Sequence, residues 1–259
     1  MSRPLVLVTN DDGVDSFFLE LLVLALRAEF EVVWAVPATE QSWIGRAVSL
    51  GRTLTARPAE RFGTPGFIID GTPTDCVNLA LGRLLPEPPA VVVSGMNIGF
   101  NVTLPIILAS GTVAGAVEGA LWGLPAVAVS QQIPHGRYDA LKAQHGRGDA
   151  EVEIVARAST ARATEAIAAL WAAGPSGLVV HNLNFPAAPA TDTRIERTRP
   201  ALLRLGGLFA PLDEGGYRFR FPGRREVIEE RADDDLSCLL RGHASHTVLD
   251  LRALGERLS

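Results

Sequence analysis

The chain has 259 residues, 47% apolar and 20% charged, which is the profile of one α/β-sized globular domain with appendages. A formal net charge of −5 argues against a nucleic-acid polymer as partner, because phosphate-backbone binding needs Lys and Arg in excess; it leaves a small phosphorylated ligand open. Cys76 and Cys238 fit no zinc spacing and make no disulfide framework, and no stretch reads as a signal or membrane span, so a cytoplasmic protein without a membrane partner is expected.

In chain order, Leu5-Val6-Leu7-Val8 is a continuous branched apolar run stopped by Asn10-Asp11-Asp12-Gly13, and predicts a buried strand ending in a turn. Residues 17–29 carry helical periodicity, and 31–36 form a second strand stopped by Pro37, which completes a βαβ unit of a parallel sheet. A strand is predicted at 67–70, and a helix start at Thr72-Pro73. Residues 90–93 read as a strand followed by a polar Gly-rich loop over 94–101. A small-residue helix follows at 110–122, a strand at 126–129, a surface loop at 134–149, a long helix at 150–173 and a strand at 178–180. Beyond about 184, Pro, Arg and short strands alternate.

Four strand-end or helix-start groups can carry chemistry. Asp11 and Asp12 lie where open α/β sheets place their ligands. Two adjacent carboxylates suit a hard divalent cation such as Mg²⁺, Mn²⁺ or Ca²⁺, although Asn-Asp-Gly equally suits a capped turn. Ser42, in Glu40-Gln41-Ser42 after the second strand, is placed to face them or to serve as a turn hydroxyl. In the run 94–101, Asn97 can offer a neutral oxygen to a metal and Asn101 a donor to phosphate, against an ordinary Gly/Asn loop. Ser110-Gly111-Thr112 opens a helix, so its amides and hydroxyls can hold an anion or simply cap the helix. No P-loop, GxGxxG or G-x-S-x-G motif is present, and the five scattered histidines read as solvated or core residues.

The ordered set resembles the SurE (survival protein E) nucleotidase family. Its T-N-D-D-G stands at 9–13, E-Q-S at 40–42, G-T-P-T-D-C-V at 71–77, S-G-x-N-x-G-x-N at 94–101, S-G-T-V at 110–113 and E-G at 118–119. A looser match continues through Asn182-Leu183-Asn184-Phe185-Pro186 and Asp234-Asp235. The resemblance implies a Rossmann-like, doubly wound, mostly parallel α/β core over 1–185. It also implies an extended C-terminal β/helical part over 186–259 that packs between subunits of a homodimer or homotetramer.

It further implies hydrolysis of nucleoside 5'- and 3'-monophosphates with one divalent ion, Mg²⁺ or Mn²⁺, per subunit. Asp11 and Asp12 would be catalytic and, with Ser42 and Asn97, hold the metal. Asn10, Asn101, Ser110, Gly111 and Thr112 would bind substrate. Water or an Asp carboxylate would be the nucleophile. The chain departs from the family pattern at Phe17-Phe18, Trp43, Arg46, Leu104-Pro105 and Ala109, positions expected around the substrate mouth, where Trp43 would stack on a base or narrow the pocket. A broad phosphatase for non-nucleotide esters and a metal- or nucleotide-binding protein without turnover are the competing readings.

Overall fold

Apolar runs separated by helical segments build a single nine-stranded sheet in the computed structural model, which describes residues 3–174, 177–213, 215–221 and 226–254. The strands are β1 (Leu5–Thr9), β2 (Glu31–Pro37), β3 (Ala56–Arg61), β4 (Thr64–Ile69), β5 (Val91–Ile98), β6 (Ala126–Gln131), β7 (Val179–Phe185), β8 (Ile195–Thr198), β9 (Leu202–Arg204), β10 (Phe209–Pro211), β11 (Tyr217–Phe219), β12 (Glu226–Glu229) and β13 (Ala244–Asp250). The helices are α1 (Phe17–Leu26), α2 (Pro73–Leu79), α3 (Leu104–Ala109), α4 (Gly111–Leu121), α5 (Tyr138–Ala143), α6 (Ala150–Ala172) and α7 (Asp235–Leu240).

The main sheet runs β3-β4-β2-β1-β5-β6-β7-β13-β8, and the six strands from β4 to β7 are mutually parallel. This is the expected doubly wound α/β fold. β3 adds antiparallel to β4, and β13 antiparallel to β7. Strands β8 and β13, from beyond residue 185, thus finish one edge of the sheet. Helices α1 and α6 cover one face over Phe18, Leu22, Trp34, Val93 and Ile167, while α2 and α4 cover the other over Leu7, Val33, Val77, Val92 and Val180. Strands sandwiched in this way are apolar on both faces, which is why β1 and β5 read as unbroken Val/Leu runs. The chain leaves β1 toward β2 and later returns to β1's other side with β5. That reversal opens a crevice at the carboxyl ends of β1 and β5.

Helix α4 reaches this crevice through a stripe of glycines. Gly111, Gly115 and Gly119 recur every four residues and so share one face. A Cβ on Gly115 would lie 2.8 Å from atoms of Ser94 and Thr9, and one on Gly119 2.6 Å from Val92 Cβ. The helix backbone therefore rests directly on β1 and β5.

Two local predictions need correction, and one strand was not foreseen. The segment 134–149 lies at the surface as expected but is not all loop: it forms α5, buries Leu141, and brings Gly146 against Phe18 and Ile98. Its six-residue helix is too short to show a periodic signal. Strand β5 does not stop at 93 but runs to Ile98, with a register irregularity between Ser94 and Asn97 and a cis Gly95–Met96 peptide. Only glycine fits at 95, where a Cβ would stand 2.3 Å from the Val129 carbonyl oxygen. Edge strand β3, with Pro58 in it, was not signalled either, since Pro argues against strand except at edges and bulges. Among the described residues no helix is long and apolar enough to cross a membrane, and Cys76 and Cys238 are buried free thiols.

Gly119→Ala should push α4 off Val92 and destabilise the fold by about 1–3 kcal/mol, the usual cost of overpacking a filled core. Thermal or urea unfolding checks this, and an unchanged midpoint would show that the helix has room to spare.

Candidate active site

The crevice is floored by Asp11 and Asp12, both buried. Asn10 shapes the turn that presents them by donating its side-chain amide to the Gly13 carbonyl at 2.9 Å, and Gly13 takes the positive φ of +85° that the turn requires. Asp11 Oδ1 accepts from the Thr112 hydroxyl at 2.7 Å, and Oδ2 lies against Gly111. Asp12 Oδ2 accepts the Ile98 amide at 2.9 Å, while Asp12 Oδ1 takes a short contact from the Lys142 ammonium. Lys142 Nζ is also 3.0 Å from Glu40 Oε1 and 3.5 Å from Ser42 Oγ, and Ser42 donates to Glu40 at 2.5 Å.

Burial, then the neighbouring Asp12 charge, pushes the Asp11 carboxyl up to about 7. Burial also raises Asp12, against the pull of Lys142. Burial alone would lower Lys142, but the Asp12 carboxylate keeps its ammonium charged and raises its pKa. Glu40 moves down: its partial burial is outweighed by the Ser42 and Lys142 bonds.

The site residues expected from sequence fall into two groups. Asp11, Asp12, Thr112, Gly111 and Ser42 gather around Lys142 or against one another. Asn97 adjoins them at the end of β5, one residue before the Ile98 amide that binds Asp12. Ser110 caps α4 by accepting the Val113 amide at 3.0 Å. Asn101 belongs to a polar ladder instead. Its side chain donates to Ser130 at 2.8 Å, its amide to Asn184 at 2.7 Å, and its carbonyl accepts from Asn182 at 2.8 Å. Asn10 Oδ1 is buried with no hydrogen-bond partner among the described residues. Beside Asp12 opens a cavity of about 260 Å³, lined among others by Val14, Ser16, Thr39, Ile98, Lys142 and His145.

Comparison with known proteins gives the family. The family model described as "Survival protein SurE" matches residues 6–205. The chain belongs to the SurE family. It is 33% identical over 256 residues to the 5'-nucleotidase SurE of Methanosarcina barkeri (strain Fusaro / DSM 804), spanning 97% of this chain and 93% of that protein. It is 41% identical over 252 residues to the 5'-nucleotidase SurE of Maridesulfovibrio salexigens, spanning 94% and 92%. The crystal structure of the SurE protein from Aquifex aeolicus superposes with a TM-score of 0.74 at 25% identity, covering 96% of this chain and 94% of that one.

Several SurE-like motifs prove to be supports rather than site groups. Asp75, inside Gly71–Val77, closes a capping box with Thr72 and accepts both the Ser49 amide (3.1 Å) and hydroxyl (2.6 Å). Glu118 is buried and binds Arg46 at 2.5 Å and Asn78 at 2.7 Å. Both clamp the loop that carries Ser42. Asp235 accepts the amides of Thr103 and Ala201, at 3.0 Å and 2.9 Å, and so ties the chain after β5 to α7.

Lys142 was missed because it stands in no recognised spacing. One signal was available: it is the only lysine, beside 23 arginines. Not all the divergent positions surround the mouth as expected. Phe17 and Phe18 are core residues of α1. Leu104-Pro105 opens α3, whose Ile106 packs on Leu203 and Leu205. Trp43 faces Phe219 and Phe221, with ring centroids 5.0 and 6.0 Å away, and does not line the cavity. His181 and His246, remote in sequence, approach to 2.9 Å across β7 and β13.

Asp75→Ala should free residues 47–49, so that limited trypsin cuts after Arg46 or Arg52 several-fold faster; fragment masses report it, and an unchanged cleavage rate would show that Asp75 does not hold the loop. A second expectation concerns Asp235, whose carboxyl is pushed up to about 6, chiefly by burial. The folded chain therefore holds this proton more tightly than the unfolded chain. Stability relative to Asp235→Asn should fall, by roughly 1–3 kcal/mol, as pH rises from about 4 through 6. Urea unfolding of both proteins across that range would show a parallel pair of curves if the proton is not retained.

Proposed function

We propose that the chain is a metal-dependent phosphomonoesterase that hydrolyses nucleoside 5'- and 3'-monophosphates to nucleoside and phosphate. The observation that carries this is the buried Asp11–Asp12 pair at the β1/β5 switch point, faced by hydroxyl, amide and ammonium groups. Membership of the SurE family supports nucleotidase chemistry, and the relatives named above are called 5'-nucleotidases.

The donor set fits a hard divalent cation such as Mg²⁺ or Mn²⁺, one per subunit. Asp11, Asp12 and Glu40, when ionised, set three negative charges against the single charge of Lys142. The two left over equal one divalent ion, and Asn10, next to Asp11 in sequence, carries an orphaned buried oxygen at Oδ1. Among the described residues no group of three or more His, Cys, Asp or Glu is placed to hold a metal, so neutral oxygens must complete the shell. Asp11 and Asp12 would hold the ion, with Ser42 and Asn97 as the neutral donors. Such an ion supplies Lewis-acid polarisation of a phosphoryl oxygen and an acidified water.

The chain's own residues do the rest. The amides of Gly111 and Thr112 open α4 beside Asp11 without helical partners, and they bind phosphoryl oxygens as negative charge shifts. Ser110 and Asn101 fix the two segments that flank them. The Asp11 carboxylate serves as base toward water, or attacks phosphorus itself, expelling the nucleoside oxygen to leave an aspartyl phosphate that water then hydrolyses. The exposed aromatic hairpin of β10 and β11, with Phe209 and Tyr217 at its surface, suits packing between subunits of a dimer or tetramer. Buried free thiols suit a reducing cytoplasm.

A second reading, a phosphatase for non-nucleotide esters, is favoured by one feature: among the described residues no Phe, Tyr or Trp lines the cavity, which leaves the His145 imidazole as its one ring to stack on a base. Phosphate release from 5' and 3' nucleoside monophosphates and simple esters, with Mg²⁺, Mn²⁺ or EDTA, separates the two. Release that prefers nucleotides, needs the metal and drops at least a thousand-fold in Asp11→Asn is expected. Release from simple esters alone would discard the nucleotide, and near-normal turnover of Asp11→Asn would discard the site.

A further inference from the structure

Lys142 occupies the place in the site where a cation is needed. Its ammonium touches Asp12 and lies within 3.0 Å of Glu40 and 3.5 Å of Ser42. Its side chain is only 15% exposed, so this is a held position and not a surface excursion. Both oxygens of Asp12 are thereby engaged, Oδ2 by the Ile98 amide and Oδ1 by Lys142. The Ile98 amide is fixed in strand β5 and cannot leave. A metal ion that uses Asp12 either takes Oδ1 or shares Oδ2 with the Ile98 amide, and on either oxygen a dication meets strong repulsion from an ammonium in contact with the same carboxylate.

The side chain has somewhere to go. Glu40 is the outer carboxylate, 46% exposed at its side chain, and already 3.0 Å from Nζ. With the ion on Asp11 and Asp12 and the ammonium on Glu40, both halves of the cluster are neutral. We propose that Lys142 is a tethered counter-ion of the metal site: it fills the cation position in the metal-free chain and is displaced from Asp12 toward Glu40 when a divalent ion binds. Metal affinity is then set by a competition inside the chain, and the empty site avoids leaving Asp12 buried and unpaired. This rests on the reading of Asp11 and Asp12 as a metal site. It differs from that reading in assigning a role to a residue that no motif contains.

The test uses the full chain stripped with EDTA. Calorimetric titration with Mn²⁺ should give Lys142→Met a dissociation constant at least ten-fold lower than the original protein. Metal-free Lys142→Met should also melt at a lower temperature, and gain more from Mn²⁺. Because Lys142 is the only lysine, acylation followed by mass spectrometry reads its exposure in the unmutated protein, with no variant to fold. Mn²⁺ should increase its labelling several-fold as the amine moves outward. Equal Mn²⁺ affinity in both proteins, or labelling that Mn²⁺ leaves unchanged or suppresses, overturns the displacement while the metal site stands. Absence of Mn²⁺ and Mg²⁺ binding in both proteins overturns the metal site and this inference together.

Discussion

Two neighbouring carboxylates at the floor of a crevice repel each other and lose their hydration, so they persist only if the protein surrounds them with donors and positive charge. Much of the architecture near Asp11 and Asp12 answers that demand. The Ile98 amide is aimed at Asp12 because β5 continues past the point where its apolar run ends. The Thr112 hydroxyl reaches Asp11 because α4 begins beside it. The helix can begin there only because Gly111, Gly115 and Gly119 let its backbone rest on the sheet. A packing feature that begins 100 residues after Asp11 thus decides the electrostatics of the turn at the end of β1.

The loop bearing Glu40 and Ser42 has little apolar surface to hold it and is fixed by polar ties. Gln41 donates its amide to the Asp11 carbonyl at 2.8 Å, and Gly45 its amide to Ala109 at 2.9 Å. Arg46 is held by Glu118 and Ser49 by Asp75. The segment after β5 is fixed in the same manner by Asn182, Asn184, Ser130 and Asp235. The hydrogen-bonded members of such buried networks hold one another in place. They account for motifs such as Gly71–Val77 that stand outside the site yet share its fate.

Sequence periodicity carried the parallel core well, because a strand buried on both faces must be apolar throughout and a long covering helix must be periodic. Hence β1, β2, β6, α1, α4 and α6 were legible to within a few residues. The carboxylates were legible too, since strand ends collect ligands in this class of fold. What stayed hidden depends on distance in the chain. The His181–His246 contact exists only through the antiparallel register of β13 on β7. Trp43 faces Phe219 and Phe221, more than 170 positions later, which no local pattern announces. Helix α5 is too short for periodicity, and so the residue it delivers was invisible except by its rarity.

That rarity has a physical meaning. The chain uses arginine at 23 positions and lysine at one. A guanidinium is planar and rigid, and grips a carboxylate through two parallel bonds. Placed at 142 it would clamp Asp12, leaving a site that resists exchange. An ammonium is compact, strongly hydrated and carried on a flexible stem, so it exchanges more readily with another compact hydrated cation. A surface ion pair gains little from either choice, and arginine serves there as well as lysine. Between Asp12 and Glu40 the choice matters, because the group must be positive enough to keep two carboxylates buried and mobile enough to give one of them up.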